Sequence, residues 1–373
     1  MNKPSVKNMP SKKLSVLVMA GGTGGHVFPA LAVADELRAR GATINWLGTG
    51  RGIENRLVPA ANIPLHLIKV EGVRGRGIMG LVKAPFLIIY ALLQAMTVIR
   101  QTRPDVVLGF GGFASGPGGL AAKLLGKPLV IHEQNAVAGT TNRLLAKVAN
   151  KVLAAFPDAF ADAGLAQVVG NPVREQIKNL AAVQERYAER TQQNIPLQLL
   201  VVGGSLGAKA INELIPAALH ELPATARPVV WHQTGKGHAD ATTALYMQNQ
   251  VNAKVTEFID DMAAAYAWAD VVICRAGALT VSELMMAGVA AILIPLPSAI
   301  DDHQTFNAKN LTQAAAGIAL VQKDLTAAKL AALLLTELAD RHHLMSMAEK
   351  AQQLAKPNAA AQVADICEEV ARG

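Results

Sequence analysis

Three glycine-rich stretches each stand between an aliphatic run and a helical pattern: Gly21-Gly22-Thr23-Gly24-Gly25-His26, residues 109–119, and Gly203-Gly204-Ser205-Leu206-Gly207-Ala208. A strand-to-helix turn of this kind offers backbone N–H groups and the positive end of a helix to a phosphate. Glycine is needed there because a side chain would block the anion's approach or forbid the backbone angles. One such loop is commonly a tight structural turn and nothing more. Three at the same topological position point to phosphate binding.

The middle loop also fits a different chemistry. Gly109-Phe110-Gly111-Gly112-Phe113-Ala114 matches the dinucleotide pattern G-x-G-x-x-A. Glu133 closes the next aliphatic run, about twenty residues on, where a dehydrogenase keeps its ribose-binding acid. That fold carries one fingerprint, usually in its first unit, and here the first unit carries 21–25 instead, so the oxidoreductase reading is set aside. The two cysteines, Cys274 and Cys367, are far apart and lack metal-ligand spacing; they read as reduced thiols of a reducing compartment.

Such loops need rigid elements to hold them. The chain has 373 residues, 51% of them apolar, rich in Ala, Leu, Val and Gly and poor in aromatics. That mix suits buried parallel strands under Ala/Leu-rich helices. At ~100–200 residues per domain, two domains are expected. Aliphatic runs at 14–20, 44–47, 106–110, 129–132, 151–155 and 167–169 alternate with helical patterns, the order of a right-handed parallel α/β sheet. After Asn171-Pro172-Val173-Arg174 and a polar stretch the pattern restarts, with runs at 197–202, 229–233, 255–258, 271–274 and 291–295. The fold class is therefore α/β, two Rossmann-like doubly wound units, each opening with strand, glycine turn and helix. The expected division is a polar, disordered tail at 1–13, an N-terminal domain at 14–174, a C-terminal domain at 175–357, and a helix at 358–373 with packing back on the first half as one option.

Formal net charge is +7. No basic run interleaved with aromatics suggests nucleic acid, which leaves an anionic membrane face or phosphate-bearing substrates. Lys3, Lys7, Lys12 and Lys13 ahead of the apolar run 14–20 imitate a secretory signal. The run is at the short edge of such a segment, about seven residues, and leads straight into a working loop.

Seven motifs occur in order: Gly-Gly-Thr-Gly-Gly-His (21–26), Gly-Phe-Gly-Gly-Phe-Ala-Ser-Gly-Pro (109–117), His-Glu-Gln-Asn (132–135), Gly-Asn-Pro-Val-Arg (170–174), Gly-Gly-Ser-x-Gly-Ala (203–208), Phe-Ile-Asp-Asp-Met (258–262) and Gly-Ala-Leu-Thr-Val-Ser-Glu (277–283). Together they resemble the MurG family, peripheral membrane enzymes that make lipid II, over about residues 14–310. The resemblance implies the GT-B fold with a cleft between its two domains. It implies an inverting transfer of N-acetylglucosamine from UDP-N-acetylglucosamine (UDP-GlcNAc) to the C4 hydroxyl of the N-acetylmuramoyl group of lipid I. It also implies a place on the cytoplasmic face of the bacterial inner membrane, with cell-wall machinery as a further partner.

The resemblance assigns roles to matching positions. Glu283 would accept the ribose hydroxyls, against the alternative of an acid that only complements a helix dipole. Ala278, Leu279, Thr280, Val281 and Ser282 form the same helix start, suited to the diphosphate and nearby sugar. Ser205 in the third loop, and Thr23, Gly24 and Gly25 in the first, are further donor contacts. Arg174 and Ile259 correspond to residues near the base and ribose, Ile259 acting through its backbone. Asn135 and Gln304 correspond to residues that hold the sugar hydroxyls. Gly111, Gly112 and Glu133 are candidates for the acceptor diphosphate. His26 is the candidate general base, since imidazole titrates near neutral pH and the acceptor hydroxyl must lose its proton. The alternative for His26 is a contact to the acceptor diphosphate, and Glu133 and His132 are second-rank bases. No D-x-D tripeptide is present, so no tightly held metal or other cofactor is expected, and helix N-termini would stabilise the departing UDP. Leu206 replaces an expected Gln, Ala136 an expected Gly, and Asp302-His303-Gln304 departs from the family pattern.

Residues 69–104 hold Lys69, Arg74, Arg76, Lys83, Arg100 and Arg103 against the single acid Glu71, around the nearly apolar run 84–99. A spanning helix needs ~20 apolar residues. The run is shorter, so we expect a surface at 72–86, with Ile78, Leu81, Val82 and Phe86 touching anionic lipid, and a buried continuation. Two other functions fit less well: another GT-B enzyme on UDP-sugars, such as a diacylglycerol glucosyltransferase or a UDP-GlcNAc 2-epimerase, and a non-catalytic nucleotide-binding protein.

Overall fold

The computed structural model describes residues 13–70, 77–162, 164–204 and 206–373, apart from the side chains of 77–84 and 300. The tail 1–12, the basic stretch 71–76, the side chains of Ile78, Leu81 and Val82, and Ser205 lie outside the described residues.

The first half runs β1 (Ser15–Met19), α1 (Gly24–Ala39), β2 (Thr43–Thr49), α2 (Glu54–Ala60), β3 (Leu65–Ile68), α3 (Gly77–Thr102), β4 (Val106–Gly109), α4 (Ser115–Leu124), β5 (Leu129–Glu133), α5 (Thr140–Leu145), β6 (Lys151–Ala154) and β7 (Gln167–Val168). Its seven-stranded sheet has the order β3-β2-β1-β4-β5-β6-β7, parallel from β3 to β5. Val16 to Met19 are all fully buried, because helices cover both faces of a central parallel strand. Met19 pairs with Leu47 on one side and Gly109 on the other. The turns after β1 and β4 therefore leave the sheet at one edge.

The second half runs α6 (Glu175–Lys178), α7 (Val183–Gln192), β8 (Gln198–Val202), α8 (Lys209–His220), β9 (Val229–Gln233), α9 (Ala239–Gln248), β10 (Lys254–Thr256), α10 (Met262–Trp268), β11 (Val271–Cys274), α11 (Ala278–Ala287), β12 (Ala290–Leu293), α12 (His303–Thr312), β13 (Gly317–Ala319), α13 (Ala327–Glu337), α14 (Arg341–Gln353) and α15 (Ala359–Arg372). The sheet order β10-β9-β8-β11-β12-β13 is parallel throughout. Two cores lie on its faces, one around Val201, Ile215 and Ile273, the other around Leu200, Val272 and Leu293. Both halves are thus doubly wound, as the repeated strand–turn–helix order implied.

The residues form two compact units, one of Met1–His132, Thr140–Leu153 and Ala361–Gly373, the other of Glu133–Gly139 and Ala154–Ala360. In the first, Arg40 donates to Asp365 Oδ1 at 2.5 Å and to Glu368 Oε1 at 3.3 Å, tying most of α15 to the end of α1. The second is braced by Asp270, which is fully buried and accepts from Arg190 at 2.9 Å and Arg341 at 3.1 Å.

Two strands escaped the hydrophobic pattern. β3 and β13 are edge strands of four and three residues, too short to establish a period. The run expected at 255–258 is strand only to Thr256, beyond which the chain turns toward α10.

Candidate active site

In the first unit β1 ends at Met19 and α1 begins at Gly24. The N-cap Thr23 makes no side-chain capping bond, while its carbonyl accepts from His26 N–H and Val27 N–H. The N–H groups of Gly24 and Gly25 therefore stand in the unsatisfied first turn of a helix, at its positive end. His26, one turn in, is half-buried.

The second glycine loop is locked against the first. Gly111 has φ +90°, and a Cβ there would lie 3.3 Å from both Cδ2 and Nε2 of His26. Gly112 has φ +81°, and a Cβ there would come within 2.6 Å of the Gly21 carbonyl oxygen. Both positions demand glycine twice over, by conformation and by contact. Ser115 Oγ–H reaches the Gly111 carbonyl at 2.6 Å and that of Met19 at 3.1 Å, fixing the second loop to the end of β1. His26, Thr23, Gly24, Gly25, Gly111 and Gly112 are thus brought together.

One residue of this cluster was not legible in the sequence. Glu54 is fully buried; Oε2 accepts Gly22 N–H at 3.0 Å, and Oε1 accepts Thr49 N–H at 3.1 Å and Thr49 Oγ–H at 2.9 Å. The expectation that the Gly21-Gly22 turn presents its amides to a phosphate therefore needs revision, since the Gly22 N–H is already engaged. His132, a second-rank base, is fully buried and stacked on Phe110 with ring centroids 5.1 Å apart, remote from solvent.

The remaining candidates lie in the second unit. Glu133 is 2% exposed. It accepts Asn135 N–H at 2.9 Å, Asn135 Nδ2–H at 3.2 Å and Gly139 N–H at 3.0 Å, which makes it the staple of its own loop. Asn135 Oδ1 accepts from Asn307, whose own side chain bonds Ala136 N–H at 2.7 Å and the Ala276 carbonyl at 3.0 Å. Asn307, fully buried, was also missed.

α11 starts at the N-cap Gly277 without a side-chain cap. Leu279 and Thr280 are half-buried, whereas Ala278, Val281 and Ser282 are buried. Ser282 Oγ–H donates to the Ala278 carbonyl at 3.0 Å and accepts from Asn171 at 3.0 Å, so its hydroxyl serves the interior. Only the first-turn amides of this helix are suited to an anion. Glu283 is 4% exposed, with Arg174 donating to one oxygen at 2.8 Å and the Tyr266 hydroxyl to the other at 3.1 Å. Burial raises its carboxyl above the ordinary range and the Arg174 guanidinium opposes that rise.

Gln304 Oε1 accepts Leu296 N–H at 2.9 Å, which ties the loop after β12 to α12. Ile259 is half-buried against the second core. Ser205 falls outside the described residues, but its loop is held by Gln233, which accepts Gly204 N–H at 3.0 Å and donates back to the Gly204 carbonyl at 3.1 Å. Leu206 at its tip is 88% exposed. A cavity of about 420 Å³ in this unit is lined by Phe156, Met285, Met286 and Leu354 and includes only Ser282 among the candidate residues, so it lies apart from the chemistry. Among the described residues no three His, Cys, Asp or Glu side chains cluster as a metal site would require.

Residues 16–154 match the glycosyltransferase family 28 N-terminal domain, and residues 198–363 match the C-terminal domain of the same family. A protein of Cellvibrio japonicus is 70% identical over 97% of this chain and 100% of its own length; one of Pseudomonas aeruginosa is 56% identical over 97% and 100%. Both are named UDP-N-acetylglucosamine--N-acetylmuramyl-(pentapeptide) pyrophosphoryl-undecaprenol N-acetylglucosamine transferase. The crystal structure of Acinetobacter baumannii MurG superposes with a TM-score of 0.81 at 48% identity, covering 95% of this chain and 99% of that one.

Proposed function

We propose a mechanism on the premise that this chain belongs to glycosyltransferase family 28, with the GT-B fold, among the N-acetylglucosamine transferases of lipid II synthesis. Its donor is UDP-GlcNAc and its acceptor the undecaprenyl-diphosphate-linked muramyl pentapeptide. The observation that carries this reading is 70% identity along the whole length of a transferase so named.

The chemistry is one in-line displacement. The acceptor C4 hydroxyl attacks the anomeric carbon, the bond from that carbon to the UDP oxygen breaks, and the configuration inverts. His26 takes the hydroxyl proton as the new bond forms. The first-turn amides of Leu279 and Thr280 receive the charge on the departing diphosphate. Arg174 and Glu283, held as a pair, flank the ribose and base, with Ile259 and Ser205 as further donor contacts and Asn135 and Gln304 placing the sugar. The first-loop amides of Thr23, Gly24 and Gly25 are further donor contacts, and Gly111 and Gly112 serve the acceptor diphosphate. No resident metal or cofactor enters this scheme.

The enzyme works at the inner face of the bacterial membrane, bound peripherally. The continuation expected to be buried is only partly so: Ala91, Ala95, Val98 and Ile99 are buried, but Ile89, Tyr90 and Leu93 are 54%, 49% and 55% exposed and with Phe86, 75% exposed, form an apolar surface on α3 that supports docking on anionic lipid. Its product places it among the reactions that serve wall growth and division.

Incubation with radiolabelled UDP-GlcNAc and a short-chain lipid I analogue tests the reading. Label should pass to the lipid product with stoichiometric UDP release. Release of free sugar without labelled lipid would refute it.

A further inference from the structure

Glu54 lies outside every role assigned so far, yet the first unit is shaped around it. A Cβ at Gly52 would sit 1.7 Å from Glu54 Oε2, one at Gly21 would sit 2.5 Å from Oε1, and one at Gly48 would sit 2.9 Å from Cγ. Two glycines of the segment leading into α2 and one of the first glycine loop thus line this side chain. Burying a carboxylate is expensive unless its oxygens are satisfied, and here its donors are the Gly22 amide, the Thr49 amide and the Thr49 hydroxyl.

The grip on Gly22 is the consequential one. Gly22 leads into the N-cap Thr23, Thr23 starts α1, and His26 sits one turn in, with its imidazole against Gly111. The turn has no side-chain cap of its own to set where the helix begins. We propose that Glu54 is a positioning residue for the transfer reaction: through the Gly22 amide it sets the start of α1 and hence the place of the His26 imidazole. The inference rests on the reading of His26 as proton acceptor. Glu54 itself touches no substrate.

A carboxylate is required because both oxygens face donors. Glutamine keeps the volume but turns an NH2 group toward an N–H or O–H, so one side of the grip is lost; aspartate shortens the reach by one methylene. A displacement of about 1 Å at a reacting group can cost on the order of a hundredfold in rate.

The test combines NMR of the ring with a kinetic cycle. In protein labelled with 15N-histidine, the His26 ring signals, identified by their absence in His26→Ala, should shift in Glu54→Gln while the other histidines hold. Glu54→Gln should lower kcat at least tenfold with KM for UDP-GlcNAc within about twofold, and in a His26→Ala background the same change should cost less than twofold. Glu54→Asp and Thr49→Val give graded versions should Glu54→Gln fold poorly. Unmoved His26 signals in all three, or a Glu54 effect that persists undiminished without His26, overturn the positioning role. Full turnover in His26→Ala alone overturns the base assignment instead, while a shifted ring in Glu54→Gln would still support the link between the two residues.

Discussion

The α-carbon of Gly111 lies against the imidazole of His26, so close that a methyl group there would press within 3.3 Å of both Cδ2 and Nε2. The second glycine loop is therefore the wall that holds the ring. Gly111→Ala should fold with a loss of about 1–3 kcal/mol from the forced positive φ and lose most of its turnover as the ring is displaced. Gly112→Ala, which meets the Gly21 backbone, should lose more stability. Thermal melts and steady-state rates on both variants check this; normal turnover in Gly111→Ala would mean that the ring's place is immaterial.

Arg174 and Glu283 predict a pH-dependent defect. The Glu283 carboxyl is raised above its ordinary value of 4.5, chiefly by burial, with Arg174 opposing. The folded state thus holds this proton more tightly than the unfolded chain, and ionising the group opposes folding as pH climbs from 4.5 upward. Removing Arg174 takes away the opposing charge, so the deficit of Arg174→Ala should widen with pH, reaching about 1–3 kcal/mol at pH 8. Urea titrations at pH 5 and pH 8 measure it. The variant should also bind UDP-GlcNAc more weakly.

Asp270 should be the costliest single loss in the second unit. Both oxygens are engaged, by Arg190 and by Arg341 with the Gln198 amide, and its carbonyl accepts the Tyr187 hydroxyl. Asp270→Asn leaves two guanidinium groups without their anion and should cost about 3–5 kcal/mol, read from the urea midpoint. A loss below 1 kcal/mol would mean that the network relaxes.

His232 sets an acid limit. Its ring, bonded to the Tyr246 hydroxyl at 2.9 Å and Asn212 Oδ1 at 3.1 Å, is pushed down to about 3 by burial. The neutral ring is the folded form, so the unfolded chain binds the extra proton first. Stability should fall as pH drops from 6.5 toward 3, by up to about 1.4 kcal/mol per unit, with no contribution above neutrality. His232→Gln should flatten that slope relative to the parent protein.

The exposed face of α3 predicts a separable membrane defect. Phe86→Glu with Leu93→Glu should reduce binding to anionic vesicles at least tenfold, since each buried apolar side chain contributes about 1.5–3 kcal/mol. Turnover on a water-soluble acceptor should be unchanged. Vesicle binding that survives both changes would move the docking surface elsewhere.

The local grammar of the chain was enough for the two α/β units, because buried parallel strands and strand–glycine–helix turns are written in consecutive residues. That His26, Gly111, Gly112 and the first turn of α11 stand at strand-to-helix turns was legible for the same reason. Glu54 was not, since it meets Gly22 across 32 residues; nor was Asn307, which meets Ala136 across 171. A similar distance lies behind Ser282, whose hydroxyl fits a ligand by type but accepts from Asn171 across 111 residues. A glycine turn announces that something must come close. Which side chain fills the hollow beneath it, and which amides stay open, is settled by packing between segments that share no sequence neighbourhood.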